Sequence, residues 1–121
     1  MFTLLTLSLV GVILQPIETT YQTEKVYHSA HQESVLCSCV DFVRQLRPDI
    51  PSMDASDFVV ATTTPTKGAI AKMYYPNSGL FHLAYVEEVG DGWVTLRDSN
   101  YRPCEETVRT VTLPDRISGY L

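Results

Sequence analysis

Residues 81–100, FHLAYVEEVGDGWVTLRDSN, predict a β-hairpin around which the rest of the chain is organised. Aromatic and β-branched residues dominate its two arms, and the sequence GDG at 90–92 between them is typical of a turn. A two-residue turn would place Val86 opposite Arg97, whereas a three-residue turn with a glycine bulge pairs Val86 with Leu96. We predict the three-residue turn, because it pairs apolar residues with each other.

This pairing also decides which polar side chains meet. It places His82 directly opposite Asn100 and diagonally across from Asp98, with Cβ atoms about 5 and 7 Å apart respectively. The same face of the hairpin carries four apolar residues, Ala84, Val86, Val94 and Leu96. A histidine that is oriented by an acid or an amide is part of a catalytic triad, which then lacks only a nucleophile.

Two cysteines upstream of the hairpin are candidates for that nucleophile. Residues 38–47 predict a helix that is capped by Ser38, and Asp41 completes a capping box. Cys39 is then the first helical residue, where unpaired N–H groups and the helix dipole favour a thiolate. Cys37 lies before the cap and gains less from the helix. The alternative is that Cys39 is simply a small buried apolar residue.

Composition and charge restrict the classes of function. The 121 residues suffice for one domain, and the net charge of -5 gives no electrostatic support for binding nucleic acid. Three cysteines do not make a disulfide framework; a bridge between Cys37 and Cys104 is conceivable but is not what we expect. His28 and His31 lack a convincing third ligand, so we interpret them as solvated linker residues. We expect no metal and no cofactor.

The chain divides into three parts. Residues 1–14 are apolar but would span only roughly 20 Å as a helix, short of a hydrocarbon core of about 30 Å. They are an export signal, a membrane anchor, a docking segment or part of the core, and we favour export or membrane attachment. Residues 15–33 are a polar linker. Residues 34–121 form an α+β domain in which the cysteine helix packs on a small antiparallel sheet. Outside the hairpin, we predict strands at 68–75, 107–113 and 116–121, and a short helix near 57–61.

Cysteine, histidine and carboxylate follow one another in the order of papain-type catalysis. Residues 39–44 (CVDFVR) resemble the nucleophile motif of CHAP domains, the cysteine/histidine-dependent amidohydrolase/peptidases of the NlpC/P60-like superfamily. Residues 81–87 (FHLAYVE) resemble the histidine strand of that family, and residues 98–100 (DSN) stand where it usually has glutamate, a spacer and asparagine. Residues 65–71 (PTKGAIA) and 119–121 (GYL) are similar to two further strands of the family.

The resemblance implies a papain-like, NlpC/P60-like fold and hydrolysis of an amide bond in peptidoglycan. An amidase would cut the N-acetylmuramoyl–L-alanine bond, and an endopeptidase a bond of the peptide stem or cross-bridge. By the resemblance, Cys39 is the nucleophile, His82 the general base and Asp98 the orienting acid, with Asn100 as a second orienting or substrate-contacting group. Because Asp98 is one methylene shorter than the usual glutamate, Asn100 is the alternative third member.

A minimal domain of this kind suits a phage lytic enzyme, a virion-associated lysin or a bacterial wall hydrolase, secreted or in the cell envelope. Residues 1–14 would hold it at a membrane or against virion or envelope proteins. Two alternatives stay open. One is a catalytically inactive structural or wall-binding domain, which needs Cys39 and His82 to be out of reach of each other. The other is a lipid-directed acyltransferase or phospholipase, against which the order of Cys39 before His82 counts.

Overall fold

The computed structural model describes residues 23–27 and 32–121. The predictions made for residues 1–14 and for His28 and His31 lie outside the described residues. Within the described ranges, short helices accompany a single antiparallel sheet, which confirms the α+β class. In those ranges, no helix is both long enough and apolar enough to cross a membrane.

The elements follow one another as β1 (Thr23–Tyr27), α1 (Glu33–Leu36), α2 (Cys39–Leu46), a 3-10 helix (Ala55–Asp57), β2 (Ile70–Tyr75), β3 (Leu80–Gly90), β4 (Trp93–Ser99), β5 (Glu106–Thr112) and β6 (Ile117–Tyr120). The six strands lie in the order β1-β5-β4-β3-β2-β6, each antiparallel to its neighbours. The predicted strands are found with small differences at their ends. The helix predicted near 57–61 is instead the 3-10 helix, and strand β1 lies inside the segment that we predicted as a linker.

The central hairpin has the predicted register but a different turn. The turn contains two residues, because Gly90 pairs with Trp93. The prediction of a three-residue turn is therefore wrong. A β-bulge after Val86 shifts the register, and Val86 pairs with Leu96 as predicted. A bulge inserts one unpaired residue into a strand, so it supplies the same one-residue shift that the longer turn was expected to provide.

Successive side chains of the strands pack into two separate clusters, because strand residues alternate between two faces. Ile70 and Leu83 pack with Phe42 and Val43 of α2. The alternate positions form a second apolar cluster that includes Ala71, Met73, Ala84, Val86, Val94, Leu96 and Val111. The same face carries four buried polar side chains, His82, Asp98, Thr107 and Arg109. The strands that build the second apolar cluster therefore also hold a buried polar group.

Helix α2 begins at Cys39 because Ser38 caps it. The Ser38 hydroxyl accepts a hydrogen bond from the Asp41 N–H at 3.1 Å, which confirms the predicted cap. The Ser38 N–H donates to the Val35 carbonyl at 3.2 Å, so Asp41 does not complete the predicted capping box. The Ser99 hydroxyl, at the end of β4, donates to the Ser38 carbonyl at 3.3 Å. The first turn of the helix is thus fixed against the strand that carries Asp98.

A disulfide joins Cys37 to Cys104, which corrects our expectation that these residues would not be bridged. The partners are 67 residues apart in sequence, so their spacing gave no signal. The loop after β4 brings them together, since Asn100 and Cys104 have left-handed φ values of 63° and 57°. The Asn100 side-chain oxygen accepts the Cys104 N–H at 2.9 Å and stabilises this turn.

Candidate active site

Three of the predicted site residues come together where α2 meets β3 and β4. The His82 Nε2 atom lies 2.8 Å from the Asp98 Oδ2 atom. This contact leaves Nδ1 as the ring nitrogen available to Cys39, whose thiol lies close enough to the imidazole for each group to shift the pKa of the other. The Leu83 backbone N–H also acts on the Cys39 sulfur and lowers the pKa of the thiol. Sulfur, imidazole and carboxylate therefore follow one another as neighbouring, interacting groups.

Burial and charge together set the ionisation of this chain. Burial lowers the pKa of His82, but the hydrogen bonds to Asp98 and Cys39 outweigh that effect and raise the pKa to about 9. Burial raises the pKa of the Cys39 thiol, but the hydrogen bond and charge of His82 outweigh it and hold the pKa below its usual value. Both directions favour a thiolate beside an imidazolium, which is the reactive form of a nucleophilic cysteine.

Asp98 is fully buried, and three side chains bind its carboxylate. His82 and Arg109 Nη2 both contact Oδ2, at 2.8 and 2.7 Å, while the Thr107 hydroxyl donates to Oδ1 at 2.5 Å. Burial raises the pKa of Asp98, but the hydrogen bond to His82 and the charge of Arg109 keep the pKa below its usual range. Asp98 is thus held as a carboxylate.

Sequence reasoning missed Arg109 and Thr107. Both lie on β5, and their side chains are buried at 2% and 0% exposure. The alternation along β5 predicted a strand, but it could not reveal that this strand lies beside β4 with its buried face at Asp98. The signal was the presence of an arginine and a threonine in the positions that alternation assigns to the interior.

Asn100 has a different environment from the one predicted. The described pairing of β3 with β4 ends at Tyr85 and Arg97, so Asn100 is not paired with His82 in the sheet. Asn100 is exposed, and its side-chain oxygen binds the loop rather than the imidazole. Of the two candidates for the third member, Asp98 is the one that contacts His82.

Two adjoining cavities open at Cys39. The larger has a volume of about 640 Å³ and extends over the start of α2, and the smaller has a volume of about 310 Å³ and reaches His82. They share four lining residues: Cys39, Leu80, Phe81 and Asn100. Two aromatic side chains, Tyr75 and Phe81, line the smaller cavity. An extended substrate that occupies both cavities would cross the sulfur.

Within the described ranges, one group of side chains has metal-site spacing, namely Glu33, Cys37 and Cys104. Thiolate sulfur is the ligand that cysteine offers to zinc. Because both sulfurs of this group are joined in the disulfide, neither is present as a thiolate. This group therefore does not provide a metal centre.

Comparison with family models, with curated proteins and with solved structures found no match for this chain. The similarity to CHAP domains thus depends on the motifs around Cys39 and His82, and the chemistry depends on the geometry of the site.

Proposed function

We propose that this chain is a cysteine amidohydrolase or peptidase of papain-like, NlpC/P60-like architecture that cleaves an amide bond in peptidoglycan. The observation that carries the proposal is the order of interacting groups Cys39, His82 and Asp98 in a cleft, with His82 hydrogen-bonded to Asp98 at 2.8 Å. Peptidoglycan as the substrate follows from the similarity of residues 39–44 and 81–87 to CHAP motifs. The disulfide Cys37–Cys104 supports an envelope or secreted location, since disulfides persist in oxidising compartments.

Acylation begins when the Cys39 thiolate attacks the carbonyl carbon of the scissile amide. A carbon–sulfur bond forms, and the carbonyl oxygen takes up the electron pair. The Cys39 N–H is the donor we expect to bind this oxyanion, because the first N–H groups of a helix lack partners within the helix. As the oxyanion collapses, the carbon–nitrogen bond breaks and the His82 imidazolium gives its Nδ1 proton to the leaving amine. The products are a thioester on Cys39 and a free amine.

Deacylation reverses the role of the imidazole. Neutral His82 takes a proton from water while the water oxygen attacks the thioester carbonyl. The carbon–sulfur bond then breaks, the carboxylic acid leaves, and Cys39 returns to the thiolate beside protonated His82. Asp98 remains a carboxylate throughout, because Arg109 and Thr107 also bind it.

The geometry of the site and the order of its residues also bear on the two alternative functions. An inactive domain would need the sulfur and the imidazole to be apart, and the effect of His82 on the pKa of the Cys39 thiol is the opposite condition. For a lipid-directed acyltransferase, the histidine of the permuted branch precedes the cysteine, whereas His82 follows Cys39. Neither alternative has an observation among the described residues that favours it.

The test is a digest of purified peptidoglycan of several wall types, with the released fragments identified by mass spectrometry. The wild type should release fragments, and Cys39→Ala should release none because the nucleophile is gone. The double variant Cys37→Ala/Cys104→Ala is the matched control, since it lacks two cysteines but keeps Cys39. It should release the same fragments below its unfolding temperature.

The fragment masses distinguish the bonds. Free stem peptides that begin with L-alanine identify an amidase, and new ends within the stem or cross-bridge identify an endopeptidase. If the wild type cuts no wall type but hydrolyses phospholipid vesicles in a Cys39-dependent way, the lipid-directed alternative replaces the proposal. If it hydrolyses neither substrate, the catalytic proposal fails.

A further inference from the structure

Arg109 is a buried cation, and one of its side-chain nitrogens has no hydrogen-bond partner among the described residues. It is 2% exposed, and its Nη2 donates to the Asp98 Oδ2 at 2.7 Å. The guanidinium carbon lies 3.7 Å from the centre of the Tyr101 ring, and Met73 contacts the same group at 3.9 Å. Its Nε has no hydrogen-bond partner among the described residues. Replacing a buried ion pair by apolar side chains is often neutral or stabilising, so stability alone is a weak reason for this arginine.

Arg109 and His82 use the same carboxylate oxygen. Both nitrogens lie within 2.8 Å of the Asp98 Oδ2 atom, so they are separated by at most twice that distance. Two cations this close oppose each other's charged form, whereas Asp98 favours both. Because a guanidinium does not lose its proton in proteins, the imidazolium of His82 is the form that Arg109 opposes.

We infer that Arg109 is a positioning residue that shares Asp98 with His82, keeps Asp98 ionised when His82 is neutral, and limits how tightly His82 holds its proton. The inference rests on the proposed function, in which His82 must release a proton to the leaving amine and later take one from water. An acid–base group works best when its affinity for the proton suits the working pH. With Asp98 as an unshared partner, His82 would hold its proton too tightly for this cycle.

Among the residues that the structure describes, the other groups around His82 do not provide this opposing charge. The titratable and charged side chains that face it are Cys39 from α2, Tyr75 from β2, Asp98 from β4, Tyr101 from the loop after β4 and Arg109 from β5. Glu24 of β1 lies near Arg109 and pairs with Arg102 in the same loop. Arg109 is the cation that shares a carboxylate oxygen with the imidazole.

The first part of the test uses the wild type and therefore needs no variant to fold. The His82 ring is titrated by NMR, with its signal assigned from the three histidines by comparison with His82→Ala. Its midpoint should lie near 9. The guanidinium signals of Arg109 should shift with the same midpoint, because the two groups share one oxygen. Guanidinium signals that do not respond to the titration of His82 would overturn the inference.

The second part removes the charge. Arg109→Met and Arg109→Gln should each raise the His82 midpoint by about one pH unit or more, since a nearby like charge has been removed. Arg109→Lys keeps the charge and should stay close to the wild type. Arg97→Met is the matched control, because Arg97 on β4 is also paired with carboxylates, those of Glu87 and Glu106, but on the opposite face of the sheet. It should leave the His82 midpoint unchanged.

The outcomes separate this inference from the proposed function, since the titration needs no substrate. A wild-type midpoint near 6.5 would show that His82 lacks the predicted partners, which would count against the proposed function as well. A wild-type midpoint near 9 that does not move, or that falls, in the two neutral variants would overturn only the role of Arg109. A purely structural role predicts a fall, because a loosened Asp98 would favour the imidazolium less.

Discussion

Each of the four titratable side chains of the site lies beside a group of opposite charge, which favours its ionised form. Burial disfavours the charged form of Cys39, His82, Asp98 and Arg109 alike. Their charges alternate in sign along the chain of contacts and sum to zero, so the interior receives no net charge. Removing one member should therefore change the ionisation of its neighbours, and this is the property that residue-level experiments can measure.

The ionisation of Cys39 and His82 predicts the pH range of activity. The pKa of Cys39 is lowered, so the thiolate should form below the usual cysteine value of about 8.5. The pKa of His82 is raised to about 9, so the imidazolium is lost only as the pH rises through that value. Activity as kcat/KM should be bell-shaped between these limits, which belong to the coupled pair.

The acid side of this range is measurable without a substrate. With the disulfide intact, iodoacetamide has one free thiol to alkylate, because the chain contains three cysteines and two are bonded. The alkylation rate of Cys39 should rise with a midpoint well below that of a free cysteine. An ordinary midpoint, measured beside a small thiol such as glutathione as the reference, would contradict the ion pair.

Substitutions of Asp98 and of Asn100 should have different effects on the titration of His82. Asp98→Asn removes the charge that binds the His82 Nε2 atom, and it should lower the His82 midpoint by about 1–3 pH units and reduce kcat. Asn100→Ala is the control, since Asn100 binds the loop instead of the imidazole. It should leave the midpoint unchanged and act on KM. The reverse pattern in an NMR titration would make Asn100 the third member of the triad.

At the scale of elements, the sequence predicted the features that depend on residues close together in the chain, namely the start of a helix and the pairing within a hairpin. Ser38 and Asp41 located the start of α2 at Cys39, and the alternation along 81–100 predicted the contact between His82 and Asp98. The predicted length of the turn was wrong because glycine and aspartate suit loops of two residues as well as loops of three. A bulge that restores the register leaves no clear trace in composition, so apolar pairing was a better guide than turn chemistry.

The elements that escaped prediction depend on contacts between distant parts of the chain. Strand β1 pairs with β5, with Thr23 opposite Thr110. Its residues 24–26 are exposed, so they give no buried apolar alternation, and a polar sequence of this kind predicts a linker. Arg109 escaped for the same reason, because its role depends on the order of strands in the sheet. The local sequence pattern carries no information about the order of strands in the sheet.

At the scale of the whole molecule, the disulfide Cys37–Cys104 connects the helices to the loop that follows β4. That loop supplies Asn100 and Tyr101 to the cleft, and Tyr101 covers Arg109. The disulfide therefore ties the chain just before α2 to the loop that forms one wall of the cleft and covers Arg109. Loss of the bond should weaken the fold more than it changes the chemistry, because Cys39, His82 and Asp98 are held by β3, β4 and the cap of α2.

Removal of this disulfide should thus lower the free energy of unfolding by about 2–4 kcal/mol, mainly because the unfolded chain is no longer constrained. The measurement is urea unfolding of the wild type and of Cys37→Ala/Cys104→Ala, each with and without reductant. Reductant should move the wild-type midpoint down to that of the double variant and leave the double variant unchanged, since the variant has no bridge to reduce. The NMR signal of His82 should still titrate near 9 in the folded variant. Equal midpoints for the oxidised wild type and the double variant would mean that the bond does not stabilise the fold, and the cap of α2 together with the sheet would then be sufficient to hold the site.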